Sequence, residues 1–252
     1  MKIAIVTGAS SGMGREFAKQ IEGFYKDLDE IWVIARRKER LEKLKEKVSV
    51  KMRAFEGDLL GSEIYEQIEA ALKETQAEIC MLVNAAGFGK IGKVKDIACK
   101  EQLHMIDLNC TSLTHMTKLC IPYMSRGSHI VNLASAAAFC PQPSFGVYAA
   151  TKSYVLSFSR SLRVELEDMG IIVTAVCPGP VATEFFLVAG KKEKNSVKDA
   201  VTVKPEVVVK QALLDTKKGK AVSVYGIPMK LSRIASKLIP HGIILKVMKG
   251  FW

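Results

Sequence analysis

The sequence predicts a doubly wound α/β fold, a seven-stranded parallel sheet with helices on both faces. Two observations carry this. Short apolar runs alternate with longer amphipathic stretches along most of the chain, and a glycine-rich turn joins the first run to the first stretch. The runs lie at 2–7, 30–35, 50–56, 79–83, 127–133, 171–177 and 220–225. Strands covered on both faces tend to be apolar in this continuous way. Helical stretches fill the intervals at 12–24, 37–48, 62–76, 100–125, 147–169 and 205–216. No internal repeat, low-complexity linker or composition shift marks a boundary, so residues 1–252 read as a single domain.

Two segments break the rhythm. Residues 184–203 begin with Phe185, Phe186, Leu187 and Val188 and then turn polar and Lys-rich, which suits a substrate lid. Residues 226–252 form a basic, apolar C-terminal extension. Leu231, Ile234, Ala235, Leu238 and Ile239 fall at helical spacing among Lys230, Arg233 and Lys237 as far as Pro240, and a second apolar group runs from Ile243 to Trp252.

Hydrophobic residues at 48% and charged residues at 25% fit a globular domain with a sizeable core. The net charge of +11 is unevenly spread. Residues 204–252 hold ten Lys and Arg against Glu206 and Asp215, a net of about +8. Such a tail suits an anionic membrane surface, packing against a second copy, closure over a cleft, or simply a solvated face. It carries no nucleic-acid reading motif, so nucleic acid is not an expected partner. The six cysteines include no C-x-x-C pair, which fits reduced thiols and a cytoplasmic location. The four histidines lack metal-ligand spacing, so no metal is expected. Met1 leads straight into the first strand with no leader pattern, and no uncharged run is long enough to span a bilayer.

The chemistry-bearing residues sit where strands end. After the first strand come Gly8, Ala9, Ser10, Ser11, Gly12, Met13 and Gly14, with a helix starting inside the turn. Glycines there let the backbone approach a pyrophosphate, which then lies at the positive end of the helix. Strand 2 ends Ala35-Arg36-Arg37. An NAD site usually places a carboxylate there for the ribose hydroxyls, whereas a 2′-phosphate requires a cation. Arg36 is the first candidate and Arg37 the second, with Ser10 or Ser11 as hydrogen-bond donors. The expected cofactor is therefore NADP(H).

Tyr148 and Lys152 stand four apart at the start of the helix at 147–169, so phenol and ammonium share one face. A free tyrosine is a poor base near neutrality, and a neighbouring Lys cation, with the positive nicotinamide of the oxidised complex, would favour the phenolate. Ser135 ends strand 5, thirteen residues before Tyr148. A hydroxyl at a strand's carboxyl end lies where open α/β sheets bind ligands, and it can hold the substrate oxygen.

In these motifs the chain resembles the short-chain dehydrogenase/reductase family. The resemblance covers about residues 2–185 and rests on T-G-x-x-x-G-x-G, Ser135 and Y-x-x-x-K in order. It implies a Rossmann-like fold and reversible hydride transfer between NADP(H) and a carbonyl or secondary alcohol. By the same resemblance Asp58 and Leu59 contact the adenine ring. Asn84, Ala85 and Gly87, in Asn84-Ala85-Ala86-Gly87, form a turn beside the cofactor. Asn109 is implied as the fourth catalytic residue, holding a water that joins Lys152 to solvent. Pro178, Gly179, Val181 and Thr183 would bind the nicotinamide end. Ala134 departs from the pattern, since many members carry a second serine there; Ser135 is kept. Relatives commonly form homodimers or homotetramers through the helices at 100–125 and 147–169.

The expected pocket lining is Phe88, Ala136, Ala137, Ala138, Phe139, Phe145, Phe185, Phe186 and Leu187. This apolar, uncharged set favours a hydroxysteroid, a bile acid or a 3-oxoacyl compound. Two other readings are an NADP-binding regulatory or interaction protein with little catalysis, and a lipid reductase working at a membrane surface.

Overall fold

The computed structural model describes residues 1–190 and 202–249. Strand β1 (Lys2–Thr7) lies at the centre of the molecule. It pairs in parallel with β2 (Glu30–Ala35) on one side and β4 (Glu78–Asn84) on the other. With β3 (Lys51–Glu56), β5 (His129–Leu133), β6 (Ile172–Val176) and β7 (Val222–Ser223), the sheet order is β3-β2-β1-β4-β5-β6-β7. Every pairing is parallel. The order reverses at β1, and the crevice beyond the carboxyl ends of β1 and β4 is where such sheets bind ligands.

Alternate residues of each strand feed two cores. On one face Ala4, Val6, Val33 and Val131 pack under Phe17 of α1 (Gly12–Gln20), Leu41 of α2 (Lys38–Lys45) and Val209 of α8 (Pro205–Lys217). On the other, Ile5, Trp32, Ile34 and Ile130 pack under Ile68 of α3 (Glu63–Thr75), Met116 of α5 (Ser112–Cys120) and Leu162 of α6 (Gly146–Glu165). All six residues of β2 are buried, so its apolar continuity reflects cover on both faces.

Two expectations need correction. The helix expected at 100–125 is broken into α4 (Cys99–Ile106), a π-helical turn (Asp107–Thr111), α5 and a 3₁₀ turn (Ile121–Tyr123). The π turn inserts one residue into the helical repeat and turns Asn109 inward to buried polar partners. Pro122, which has no N–H to donate, sits in the 3₁₀ turn that closes the segment. The last strand, expected over 220–225, pairs only at Val222 and Ser223, because the chain turns away at Gly226 (φ +84°).

Thr183 and Glu184 lead into α7 (Phe185–Val188), the described part of the expected lid, and Val203 returns to bridge Val181. Residues 191–201 of that lid lie outside the described residues, as do Phe251 and Trp252 of the tail. The tail forms α9 (Ile227–Leu238) and α10 (His241–Lys249), separated at Pro240. Among the described residues no helix is long and apolar enough to cross a membrane.

Candidate active site

A cavity of about 710 Å³ runs along the carboxyl ends of the strands. One end is built by the turn after β1. Gly8 takes a φ of +68°, and a Cβ there would come within 2.8 Å of Ala86 backbone atoms. A Cβ on Gly14 would meet the Gly8 carbonyl oxygen at 2.4 Å. These glycines thus let α1, β1 and the turn after β4 close together, leaving the first backbone N–H groups of α1 at the cavity. Thr7 fixes that contact: its hydroxyl accepts from the N–H groups of Ala85 (3.0 Å) and Ala86 (3.1 Å).

The cradle fits a dinucleotide. Ser10, Ser11, Gly12 and Met13 line it with Arg36, Arg37, Asp58 and Leu59, while Val181 and Thr183 approach from the β6 side. A Cβ on Gly12 would lie 3.3 Å from Thr183, so the two halves of the expected cofactor site meet.

The two arginines are placed differently. Arg36 points outward, 71% exposed, with a long 3.7 Å pairing to Asp58. Arg37 instead lies over the glycine turn and donates to Ser10 Oγ from Nε (3.2 Å) and Nη2 (3.0 Å). Its Nη1 reaches Glu184 at 3.1 Å, and Arg40 Nη1 binds the same carboxylate at 2.5 Å. Hydrogen bonds from Arg40 and Arg37 hold the Glu184 carboxyl below its ordinary range. Sequence reasoning missed both Arg40 and Glu184. Arg40 follows Arg37 by one helical turn, a usable signal; Glu184 gives none, because its partners are distant in sequence.

At the other end Tyr148, Lys152 and Ser135 converge on the cavity. Tyr148 and Lys152 are buried on one face of α6, with Nζ 5.7 Å from the phenol ring centroid. Lys152 Nζ donates to the Leu133 carbonyl at 2.7 Å. The Ser135 hydroxyl oxygen accepts from Ala137 N–H at 3.1 Å, and its O–H is left to donate toward Tyr148 and the cavity.

Burial opposes the effect expected of a neighbouring cation. Burial pushes Tyr148 up to about 12, against a smaller downward pull from a Ser135 hydrogen bond. Burial also brings Lys152 down to about 8, although Cys110 and Cys177 pull it upward. The ammonium donates to the Leu133 carbonyl, which holds it beside the phenol ring.

Two expected residues stand behind the wall and do not line it. Asn109 Nδ2 donates to the Phe88 carbonyl (2.9 Å) and Thr151 Oγ1 (3.0 Å), while Oδ1 accepts from Phe88 N–H (3.0 Å). A Cβ on Gly87 would fall 2.7 Å from Asn109 Oδ1 and 3.4 Å from Lys152 Nζ, so glycine is what lets the two converge. Asn84 Nδ2 donates to Thr117 Oγ1 (3.0 Å) and Asn132 Oδ1 (2.9 Å), tying β4 to β5 and α5. Pro178 and Gly179 do reach the cavity.

Of the expected pocket lining, Phe88, Ala136, Ala137, Phe145, Phe185 and Phe186 are in place. Ala138 and Phe139 pack beneath against Val155 and Val224, and Leu187 points outward at 81% exposure. Phe145 stacks on Tyr148 at 4.3 Å, and Phe185 of α7 covers the same ring at 5.2 Å. The lining is also less uniformly apolar than expected, because Lys90, His104, Gln142 and Ser232 join it. Lys90 is paired with Glu101 of α4 at 2.8 Å.

Fold and site together define a nicotinamide-dinucleotide-dependent oxidoreductase acting on CH–OH groups. The family model for short chain dehydrogenases matches residues 2–194, and the chain belongs to that family. It is 30% identical to the human very-long-chain 3-oxoacyl-CoA reductase, across 97% of this chain and 78% of that protein. It is 32% identical to the NADP-dependent 3-hydroxy acid dehydrogenase of Escherichia coli, across 82% of this chain and 85% of that one. A short-chain dehydrogenase from Sphingobium yanoikuyae solved with NADPH superposes with a TM-score of 0.78 at 26% identity, covering 99% of this chain and 96% of that one. The chain is thus an NAD(P)-dependent short-chain dehydrogenase with a small-molecule substrate.

Proposed function

We propose that the protein is an NADP(H)-preferring enzyme that interconverts a ketone and a secondary alcohol on a substrate with an apolar body and one polar end. The observation that carries this reading is the convergence of Ser135, Tyr148 and Lys152 at one end of a cavity whose other end holds the glycine turn and Arg37. The bound dinucleotide supplies or accepts the hydride. Everything else falls to the chain. Tyr148, a buried protonated phenol, donates its proton to the carbonyl oxygen in reduction and takes it back in oxidation. Ser135 turns its O–H from Tyr148 to the same oxygen when substrate is bound. Lys152 holds positive charge beside the phenol, anchored on Leu133. Asn109 holds the Phe88 corner and leaves one Oδ1 lone pair for a water next to Lys152.

The NADP preference rests on Arg37 with Ser10, and Arg40 extends the cationic patch. Phe88, Phe145 and Phe185 favour an apolar substrate body, while Lys90, His104 and Gln142 give its polar end somewhere to bind. A 3-oxoacyl compound or a bile acid meets both requirements; a hydroxysteroid meets the first. Exposed Leu103 and Ile106 on α4, with Tyr154 and Val164 on α6, suit burial in a homodimer or homotetramer.

A screen of NADPH oxidation over steroids, bile acids, acyl ketones and small carbonyls, repeated with NADH, tests the reading. Reduction of an apolar ketone, faster with NADPH, is expected. No turnover across the panel with intact NADPH binding would favour a regulatory NADP-binding protein instead.

A further inference from the structure

We infer that the outer face of α9 and α10 seats the protein on an anionic lipid surface. The inner face of α9 is already in use. Met229 and Ser232 line the cavity, and the Met229 side chain lies against Gly179. At 100° per residue, Ile227, Leu231, Ile234 and Leu238 point the opposite way, and they are between 55% and 77% exposed. A helix packed on a globular body normally turns its apolar stripe inward. Here the stripe faces out, and exposed Ile243 and Val247 continue it along α10.

The charges select the occupant. Lys230, Arg233 and Lys237 line a shallow recess beside Ile234 along one flank of the stripe. Lys246 and Lys249 follow on α10, and residues 226–249 contain no Asp or Glu. A bilayer bearing acidic headgroups satisfies both features, taking the apolar stripe among its acyl chains and the cations among its phosphates. A two-fold dimer through this face would set each basic flank near its own copy, with no acid on either side to relieve it. No described helix is both long and apolar enough to span the bilayer. Because α9 also walls the cavity through Met229 and Ser232, docking brings the site next to the lipid phase. This docking does not depend on which carbonyl the site reduces.

The test is co-sedimentation of the full chain with vesicles of phosphatidylcholine, alone or with about one-third phosphatidylglycerol. Binding should be at least about tenfold stronger to the anionic vesicles and should weaken with salt. Leu231→Asp/Leu238→Asp and, separately, Lys230→Glu/Lys237→Glu should each reduce it about tenfold or more while leaving NADPH binding intact. Equal binding to both vesicle types, or none to either, would overturn the inference. So would a wild-type dimer that Leu231→Asp/Leu238→Asp turns to monomer with vesicle binding unchanged.

Discussion

Arg37 faces two partners at once, the Ser10 hydroxyl and the Glu184 carboxylate. A ribose 2′-phosphate offers the same chemistry as Glu184, an anion with several acceptor oxygens, and so competes with it for Arg37 and Arg40. Charge-assisted hydrogen bonds of this kind contribute about 1.5–3 kcal/mol. Arg37→Ala should therefore weaken NADPH binding by about ten- to a hundredfold and leave NADH nearly unchanged. Glu184→Gln should tighten NADPH binding several-fold by removing the internal competitor. Fluorescence titration of both cofactors measures this; equal losses for NADH and NADPH in Arg37→Ala would assign the arginine a purely structural role. The sequence placed cations at this turn but not which of two adjacent arginines lies over it. Consecutive side chains at a strand end point to opposite sides, and the pattern does not say where the strand stops. Glu184 was illegible because its pairing to Arg40 spans 144 residues.

Among the elements, those legible in the sequence are the ones whose periodicity follows directly from burial. The strands β1 to β6 and the helices α1, α3, α6 and α8 lie close to their expected limits. The π turn was not legible. Its residues have ordinary helix-compatible character, and the register shift is stabilised by tertiary hydrogen bonds from Asn109 to Phe88 and Thr151. Asn109→Ala would remove the partner of the part-buried Phe88 N–H and carbonyl, at about 1–3 kcal/mol each, while Thr151 keeps its bond to the Tyr148 carbonyl. It should lower the melting temperature and kcat while sparing NADPH affinity, since Asn109 does not line the cavity. A kcat unchanged in a destabilised variant would separate the turn from catalysis. The tail shows a similar limit. Its amphipathic spacing was plain, but only the packing of Met229 on Gly179 reveals that the apolar stripe faces outward.

For the molecule as a whole, acid acts on stability through groups far from the cavity. His129 is buried at the amino end of β5 with Tyr25 Oη 2.5 Å from Nδ1, and burial pushes its pKa from 6.5 down to about 4. Below pH 6.5 the unfolded chain takes up a proton that the folded one refuses until about pH 4. Stability from this group is thus full above 6.5 and falls as the pH drops toward 4, by up to about 3 kcal/mol. Urea unfolding midpoints should decline across that window, and His129→Asn should flatten the decline; an unchanged slope would acquit His129. Asp215, tied to Lys220, Ser223 and Gln211, has a lowered pKa, so its stabilisation is lost only at lower pH.

The doubly wound order was readable because a parallel sheet needs alternating helices and continuous apolar strands, both visible as pattern. Protonation states were not, since they depend on burial that only the folded chain defines. The cation beside Tyr148 was visible as a spacing, whereas the burial that pushes the phenol up to about 12 was not. The central claim, that Tyr148 gives its proton to the substrate oxygen, is tested most directly by Tyr148→Phe. The account predicts that steady-state NADPH-dependent reduction falls by about a hundredfold or more while the NADPH dissociation constant holds. It also predicts that wild-type reduction declines as pH rises through about 8, where Lys152 gives up its charge. A Tyr148→Phe enzyme that turns over at the wild-type rate would contradict the account.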